Sequence, residues 1–83
     1  MNLPKSKERQ KLAFEKRMDM LIYAVHKKAE FTVHDIFEDA VSIQKMTIRN
    51  CLKDLMECGY LEKTSIYTFK ATDFAKQLFG VAA

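Results

Sequence analysis

The chain has 83 residues, of which 48% are apolar, and it carries 14 Lys and Arg against 11 Asp and Glu, for a formal net charge of +3. A chain of this length forms one domain, over residues 1–83, and buries only ~60–65% of its unfolded surface, which excludes a deep cleft. No apolar run approaches the roughly 18 residues of a membrane span, and the N-terminus lacks the apolar block of a secretory signal, so we expect a cytoplasmic protein.

Positive charge is concentrated at the N-terminus, where six of the fourteen cations lie within the first seventeen residues. They are Lys5, Lys7, Arg9, Lys11, Lys16 and Arg17. We expect a basic, partly frayed N-terminal arm over about residues 1–10. Such an arm either contacts phosphates by releasing their counterions or serves as a solvated tail.

Helical spacing of apolar residues predicts a long first helix over residues 6–29. Its apolar positions are Phe14, Met18, Leu21, Ile22, Val25 and Ala29. Residues 31–33 are β-branched or aromatic and predict a very short strand. Thr32 and Asp35 then match a capping box, which predicts a short second helix over residues 33–40.

A third helix over about residues 44–58 follows a turn at residues 41–43, and Gly59 ends it because Gly takes the left-handed conformation at low cost. Its apolar face is formed by Ile48, Leu52, Leu55 and Met56. Its polar face carries Gln44, Lys45, Thr47, Arg49, Asn50 and Lys53. The short connection between the second and third helices is what a helix-turn-helix requires.

Two strands at residues 60–64 and 65–71 predict a tight antiparallel hairpin that turns near residues 64 and 65. Thr72 caps a short last helix over residues 73–79, which Gly80 ends. The predicted order is therefore helix, short strand, helix, helix, strand, strand, helix. This is a mainly α chain with a small β-hairpin, of the α+β class.

The segments FTVHDIFEDA and SIQKMTIRNCLKDLMECGYLEK, at residues 31–63, resemble the winged helix-turn-helix class of bacterial, archaeal and phage regulators. The resemblance rests on Thr47 with Ile48, on Leu55, and on Gly59 followed by an aromatic residue and Leu. It implies a DNA-binding transcriptional regulator whose third helix enters the major groove while the hairpin, or wing, flanks it. The residues that would face double-stranded DNA are Gln44, Lys45, Thr47, Arg49, Asn50, Lys53 and Lys63.

One such helix and a short hairpin contact little DNA, so the resemblance also implies a homodimer with half-sites about 34–36 Å apart. The first and last helices are the candidate dimer surfaces. Their apolar candidates are Phe14 and Met18 in the first helix and Phe74, Leu78 and Phe79 in the last.

Two alternatives stay open. The expected hairpin turn has two to four residues and no Gly or Arg, and only Lys63 and Lys70 make the hairpin basic. A winged helix with so little positive charge fits a protein-interaction module with little or no DNA binding. Non-specific DNA packaging through the basic arm is the other alternative.

No pattern in the chain predicts catalysis, a metal, a cofactor or a small-molecule ligand. His26 and His34 are too widely spaced and lack Cys or carboxylate companions for a zinc site. Two glycines exclude most nucleotide-binding loops. Cys51 and Cys58 lie about 10.5 Å apart along one helix, too far for a disulfide, and we expect both on its buried face. We expect no enzymatic activity.

Overall fold

A computed structural model describes residues 5–81 of the chain and the side chains of residues 7–81. The described chain is mainly helical with one small antiparallel sheet, so it is an α+β structure. Residues 1–4, part of the expected N-terminal arm, lie outside the described residues. The elements in order are α1 Lys5–His26, α2 Val33–Asp39, α3 Lys45–Glu57, β1 Leu61–Lys63, β2 Phe69–Ala71 and α4 Asp73–Leu78.

Helix α1 begins at Lys5, so residues 5–10, which we expected in a partly frayed arm, are helical. It ends at His26, three residues before the expected end at residue 29, and Ala29, which we expected on its apolar face, is exposed. Phe14 and Ile22, which we expected on its apolar face, are exposed. The buried face of α1 is formed by Met20, Leu21, Ala24 and Val25.

Phe31 joins the sheet through a single bridge to Phe69. The backbone N–H of each residue donates to the carbonyl of the other, with N···O distances of 2.9 Å from Phe31 and 2.8 Å from Phe69. The expected strand at residues 31–33 is therefore absent, and the sheet has two strands. The reason is the capping box that begins α2 at the next residue. Thr32 Oγ1 accepts from the Asp35 N–H at 3.1 Å, and the Thr32 N–H donates to Asp35 Oδ2 at 2.9 Å. These bonds use the backbone N–H groups of Thr32 and Asp35, so the Thr32 N–H is not available to extend the strand.

Helix α3 follows its predicted bounds closely, with Gln44 and Cys58 as its cap residues. Residues 41–43 lie between the end cap of α2 and the start cap of α3. Gly59 has a φ of +84°, so the predicted glycine stop is confirmed. Cys51 is buried but Cys58 is exposed, because Cys58 follows the last turn of the helix rather than facing the core. The buried face is formed by Ile48, Cys51, Leu52 and Leu55.

Strands β1 and β2 pair in register from Leu61↔Ala71 to Lys63↔Phe69. The turn occupies residues 64–68, so it is longer than expected, and the predicted strand at residues 65–68 is wrong. Local hydrogen bonds explain the difference, since Ser65 Oγ accepts from the backbone N–H groups of residues 67 and 68 at 3.2 Å each. Such side-chain bonds replace the ladder bonds of a strand.

Helix α4 begins at the predicted cap, where Thr72 Oγ1 accepts from the Ala75 N–H at 3.2 Å and donates to the Gly59 carbonyl at 2.7 Å. The helix ends one residue early, and Phe79 is its half-buried end cap. Phe79, which we expected at a dimer surface, packs partly against the core, whereas Phe74 and Leu78 are exposed. The most deeply buried large side chains are Phe31, Met20, Ile36, Ile48, Leu52 and Val25.

Candidate functional site

The surface of α3 that faces away from the core is continuous and exposed. Arg49, Asn50 and Lys53, all predicted to face DNA, lie on it. Met46 lies on it as well, with 62% of its side chain exposed, and we did not predict this residue. Its spacing to residues 50 and 53, at i+4 and i+7, was the available signal for placing it on the same helix face.

A groove of about 420 Å³ runs between α3, the hairpin and the start of α2. Four of the predicted cations line it, and no Asp or Glu of the described residues does. Lys45, Arg49 and Lys53 follow one edge of α3 at i, i+4 and i+8, while Lys63 approaches from β1. We call this surface, defined by its four cations, the cationic groove. A groove with this charge attracts polyanions.

Aromatic rings hold two of these lysines in place. Lys45 Nζ lies 5.6 Å from the centroid of the Phe37 ring, and Lys63 Nζ lies 5.8 Å from the centroid of Phe69. Each contact is worth about 0.5–1 kcal/mol at an exposed site. Lys45 Nζ also lies 3.4 Å from Nδ1 of His34, a groove residue that the sequence analysis did not include in the site. The ammonium groups of Lys45 and Lys63 therefore lie against aromatic rings beside the groove, although both side chains are exposed.

The tip of the hairpin adds apolar surface to the cationic groove. Ile66 and Tyr67 line it and are 76% and 75% exposed, the largest exposed fractions among the large apolar side chains of the described residues. Sequence reasoning missed them because it assigned both to a half-buried strand. Their true position depends on the bonds of Ser65 within the turn.

The predicted polar row of α3 is divided between two surfaces. Thr47 and Asn50 line a second groove of about 250 Å³ between α1 and α3, on the other side of α3 from the hairpin. Helix α1 contributes three cations to this α1–α3 groove, namely Arg9, Lys16 and Arg17. Gln44 is exposed at the start of α3, makes no capping bond and lines neither groove.

Two carboxylates near α3 and the hairpin are paired with cations. Asp54 Oδ2 accepts from Arg17 Nε at 3.2 Å and from Nη2 at 2.5 Å, and this hydrogen bonding raises the pKa of Arg17 despite partial burial. Glu62 lies 3.2 Å from Lys70 on the face of the hairpin opposite Lys63. These acids therefore do not project into the cationic groove.

Other chemistry in residues 5–81 is sparse. No group of three or more His, Cys, Asp or Glu side chains there is close enough to hold a metal ion. None of the described helices combines the length and the apolar character needed to cross a membrane. Burial raises the pKa of the Cys51 thiol, which disfavours the reactive thiolate.

Comparison of the chain with known proteins found no matching family model, no similar curated protein and no similar solved structure. The two grooves and the exposed face of α3 are therefore the basis for a functional proposal. Chemically, they offer separated cations, exposed Arg and Asn side chains that can form hydrogen bonds, and an apolar tip.

Proposed function

We propose that the protein is a DNA-binding transcriptional regulator of the winged helix-turn-helix class that inserts α3 into the major groove of duplex DNA. The cationic groove is the observation that carries this proposal, because four cations from α3 and β1 line it and no carboxylate of residues 5–81 does. The exposed face of α3 is unobstructed, and an α-helix about 10–12 Å wide fits a major groove about 12 Å wide. The hairpin lies beside α3, where a wing would flank it.

The exposed face of α3 supplies the base contacts under this proposal. Arg49 donates two hydrogen bonds to the edge of a guanine, and Asn50 pairs with an adenine. Lys45, Lys53 and Lys63 contact phosphates along one side of the groove. Such contacts position the protein, whereas the base contacts specify the sequence.

The α1–α3 groove would contact the phosphates on the opposite side of α3. Of the three cations in this groove, Arg17 is hydrogen-bonded to Asp54. Arg9 and Lys16 make no side-chain hydrogen bond among the described residues, so they are free to contact phosphates. Cations on both sides of the inserted helix match the two phosphate backbones that border a major groove. Thr47, which lines the same groove, can donate its hydroxyl to a phosphate oxygen.

A homodimer completes the proposal, because one inserted helix and a short hairpin contact limited DNA surface. Two apolar surfaces are available for it. Phe74 and Leu78 are exposed at i and i+4 on α4, and Phe14 and Ile22 are exposed at i and i+8 on α1. Light scattering over a range of protein concentrations measures the association, and Phe74→Asp or Phe14→Asp identifies the helix that mediates it.

Selection of bound sequences from a random pool of duplex DNA tests the proposed function. We expect one enriched sequence, and Arg49→Ala should weaken its binding by about 5- to 150-fold, the equivalent of ~1–3 kcal/mol for a bidentate base contact. Lys70→Ala is the matched control, since it removes one positive charge from the opposite face of the hairpin. Equal binding of the wild type and Arg49→Ala to the selected sequence would refute the role of α3.

A protein-interaction module is the second candidate function. The exposed apolar pair on α4, Phe74 and Leu78, favours it, since such side chains also form protein interfaces. In this case the wild type binds no DNA from the random pool at moderate salt. It instead forms a stoichiometric complex with one partner protein, which Phe74→Asp abolishes and Arg49→Ala leaves intact.

A further inference from the structure

Two large apolar side chains project from the tip of the hairpin. Turn residues are usually polar or glycine, yet residues 66 and 67 of this turn are Ile66 and Tyr67. Both are about three-quarters exposed, so neither contributes much to the core. Two adjacent apolar side chains on one exposed turn form a small apolar patch, which another molecule could cover.

The turn is built to hold these side chains outward. Ser65 Oγ accepts from the N–H groups of Tyr67 and Thr68 at 3.2 Å each. The Thr68 hydroxyl lies 2.6 Å from Ser65 Oγ and 2.7 Å from Thr64 Oγ1, and the Thr64 N–H donates to the Thr68 carbonyl at 2.9 Å. Because the bonds connect both sides of the turn, its backbone is fixed without any contribution from the apolar side chains.

The position of the tip identifies its ligand. Ile66 and Tyr67 line the same groove as Lys53 and Lys63, and none of the described acids lines it. Apolar groups beside cations complement nucleic acid, in which base faces lie beside phosphates. A protein partner would have to bring negative charge and apolar surface together at the same spacing, whereas a DNA duplex has phosphates beside every base step, and its base faces become accessible where a step is unstacked.

We propose that the hairpin tip is a wedge that inserts between two base pairs of the bound duplex. This inference rests on the proposed function and adds a mode of recognition to it. Tyr67 stacks on an exposed base face, Ile66 fills the opened step, and Lys63 contacts the adjacent phosphate. The duplex bends at that step, as it does where other apolar wedges enter.

A wedge selects sequence through the deformability of DNA rather than through hydrogen bonds. Pyrimidine–purine steps such as TA unstack easily, whereas A-tracts are stiff. We therefore expect the wild type to prefer a TA step over an A-tract in the flank beside the selected sequence. Base–aromatic stacking is worth ~1–3 kcal/mol, so Tyr67→Ser should weaken binding to the duplex with the TA flank by about 5- to 150-fold.

The experiment uses two duplexes that carry the selected sequence and differ only in this flank, with a donor and an acceptor dye at their ends. Binding and energy transfer are measured for the wild type, Tyr67→Ser, Tyr67→Phe and Lys70→Ser. Lys70→Ser is the control, because it also shortens an exposed side chain of the hairpin but one that does not line the groove. Circular dichroism checks that each variant is folded.

We expect Tyr67→Ser to lose both the flank preference and the bend, whereas Tyr67→Phe and Lys70→Ser keep them. A Tyr67→Ser variant that bends the duplex and discriminates between the flanks as the wild type does overturns the wedge. In that result the selected sequence is still bound, so the proposed function stands and the tip is left for a protein partner. A wild type that binds neither duplex overturns the proposed function and the wedge together.

Discussion

Removing lysines from the cationic groove should change the salt dependence of DNA binding in proportion to their number. Lys53→Ala, Lys63→Ala and the double variant are the perturbations. Both lysines are exposed and line the groove, so their removal leaves the core intact. Each phosphate contact contributes about 0.9 to the slope of log affinity against log salt.

The magnitude follows from this slope. For a fourfold rise in salt, from about 50 to about 200 mM, one phosphate contact multiplies the loss of affinity by roughly 3.5. Over this range of salt, the factor by which affinity falls should therefore be about 3.5 times smaller for each single variant than for the wild type. For the double variant it should be about 12 times smaller. Fluorescence anisotropy with a labelled duplex of the selected sequence measures the slopes.

The matched control is Lys70→Ala, which changes the net charge by the same amount as Lys63→Ala. Lys70 is paired with Glu62 and lies on the other face of the hairpin, so its removal should leave the slope unchanged. If Lys70→Ala lowers the slope as much as Lys63→Ala does, binding follows overall charge and the assignment of the groove is refuted.

Four further predictions concern the fold and its thiols. Thr32→Ala removes the acceptor of the capping box and should lower the free energy of unfolding by about 1 kcal/mol in urea titrations; an unchanged urea midpoint contradicts this assignment. Gly59→Ala places a side chain at a φ of +84° in open space, so only backbone strain of about 1–2 kcal/mol should appear in the same assay, and a neutral substitution argues against it. Cys58 is exposed and should react with a maleimide before Cys51, as peptide mass spectrometry would show; faster labelling of Cys51 contradicts its burial. Burial raises the pKa of the Cys51 thiol in the folded state. The stability that the protonated thiol contributes is therefore complete below the unfolded-state pKa and is lost as pH rises through the folded-state pKa. This loss should disappear in Cys51→Ala.

Local signals in the sequence determined where most elements begin and end. The box formed by Thr32 and Asp35, the cap at Thr72 and the stop at Gly59 all have the structure that their residue types predict. They succeed because a cap or a left-handed glycine acts within about four residues. The apolar spacing of α3 identified its buried face for the same reason, with Ile48 and its neighbours at the core.

Tertiary structure alone decided how the functional residues are grouped. Periodicity places Thr47 and Arg49 on the polar face of one helix. Only the positions of α1 and the hairpin assign them to different grooves. The buried face of α1 likewise depends on its crossing with α3, which leaves Phe14 exposed. The hairpin tip at Tyr67 depends on turn bonds that compete with strand pairing. Sequence patterns describe one element at a time, whereas a binding surface is formed by contacts between elements that are distant in the chain.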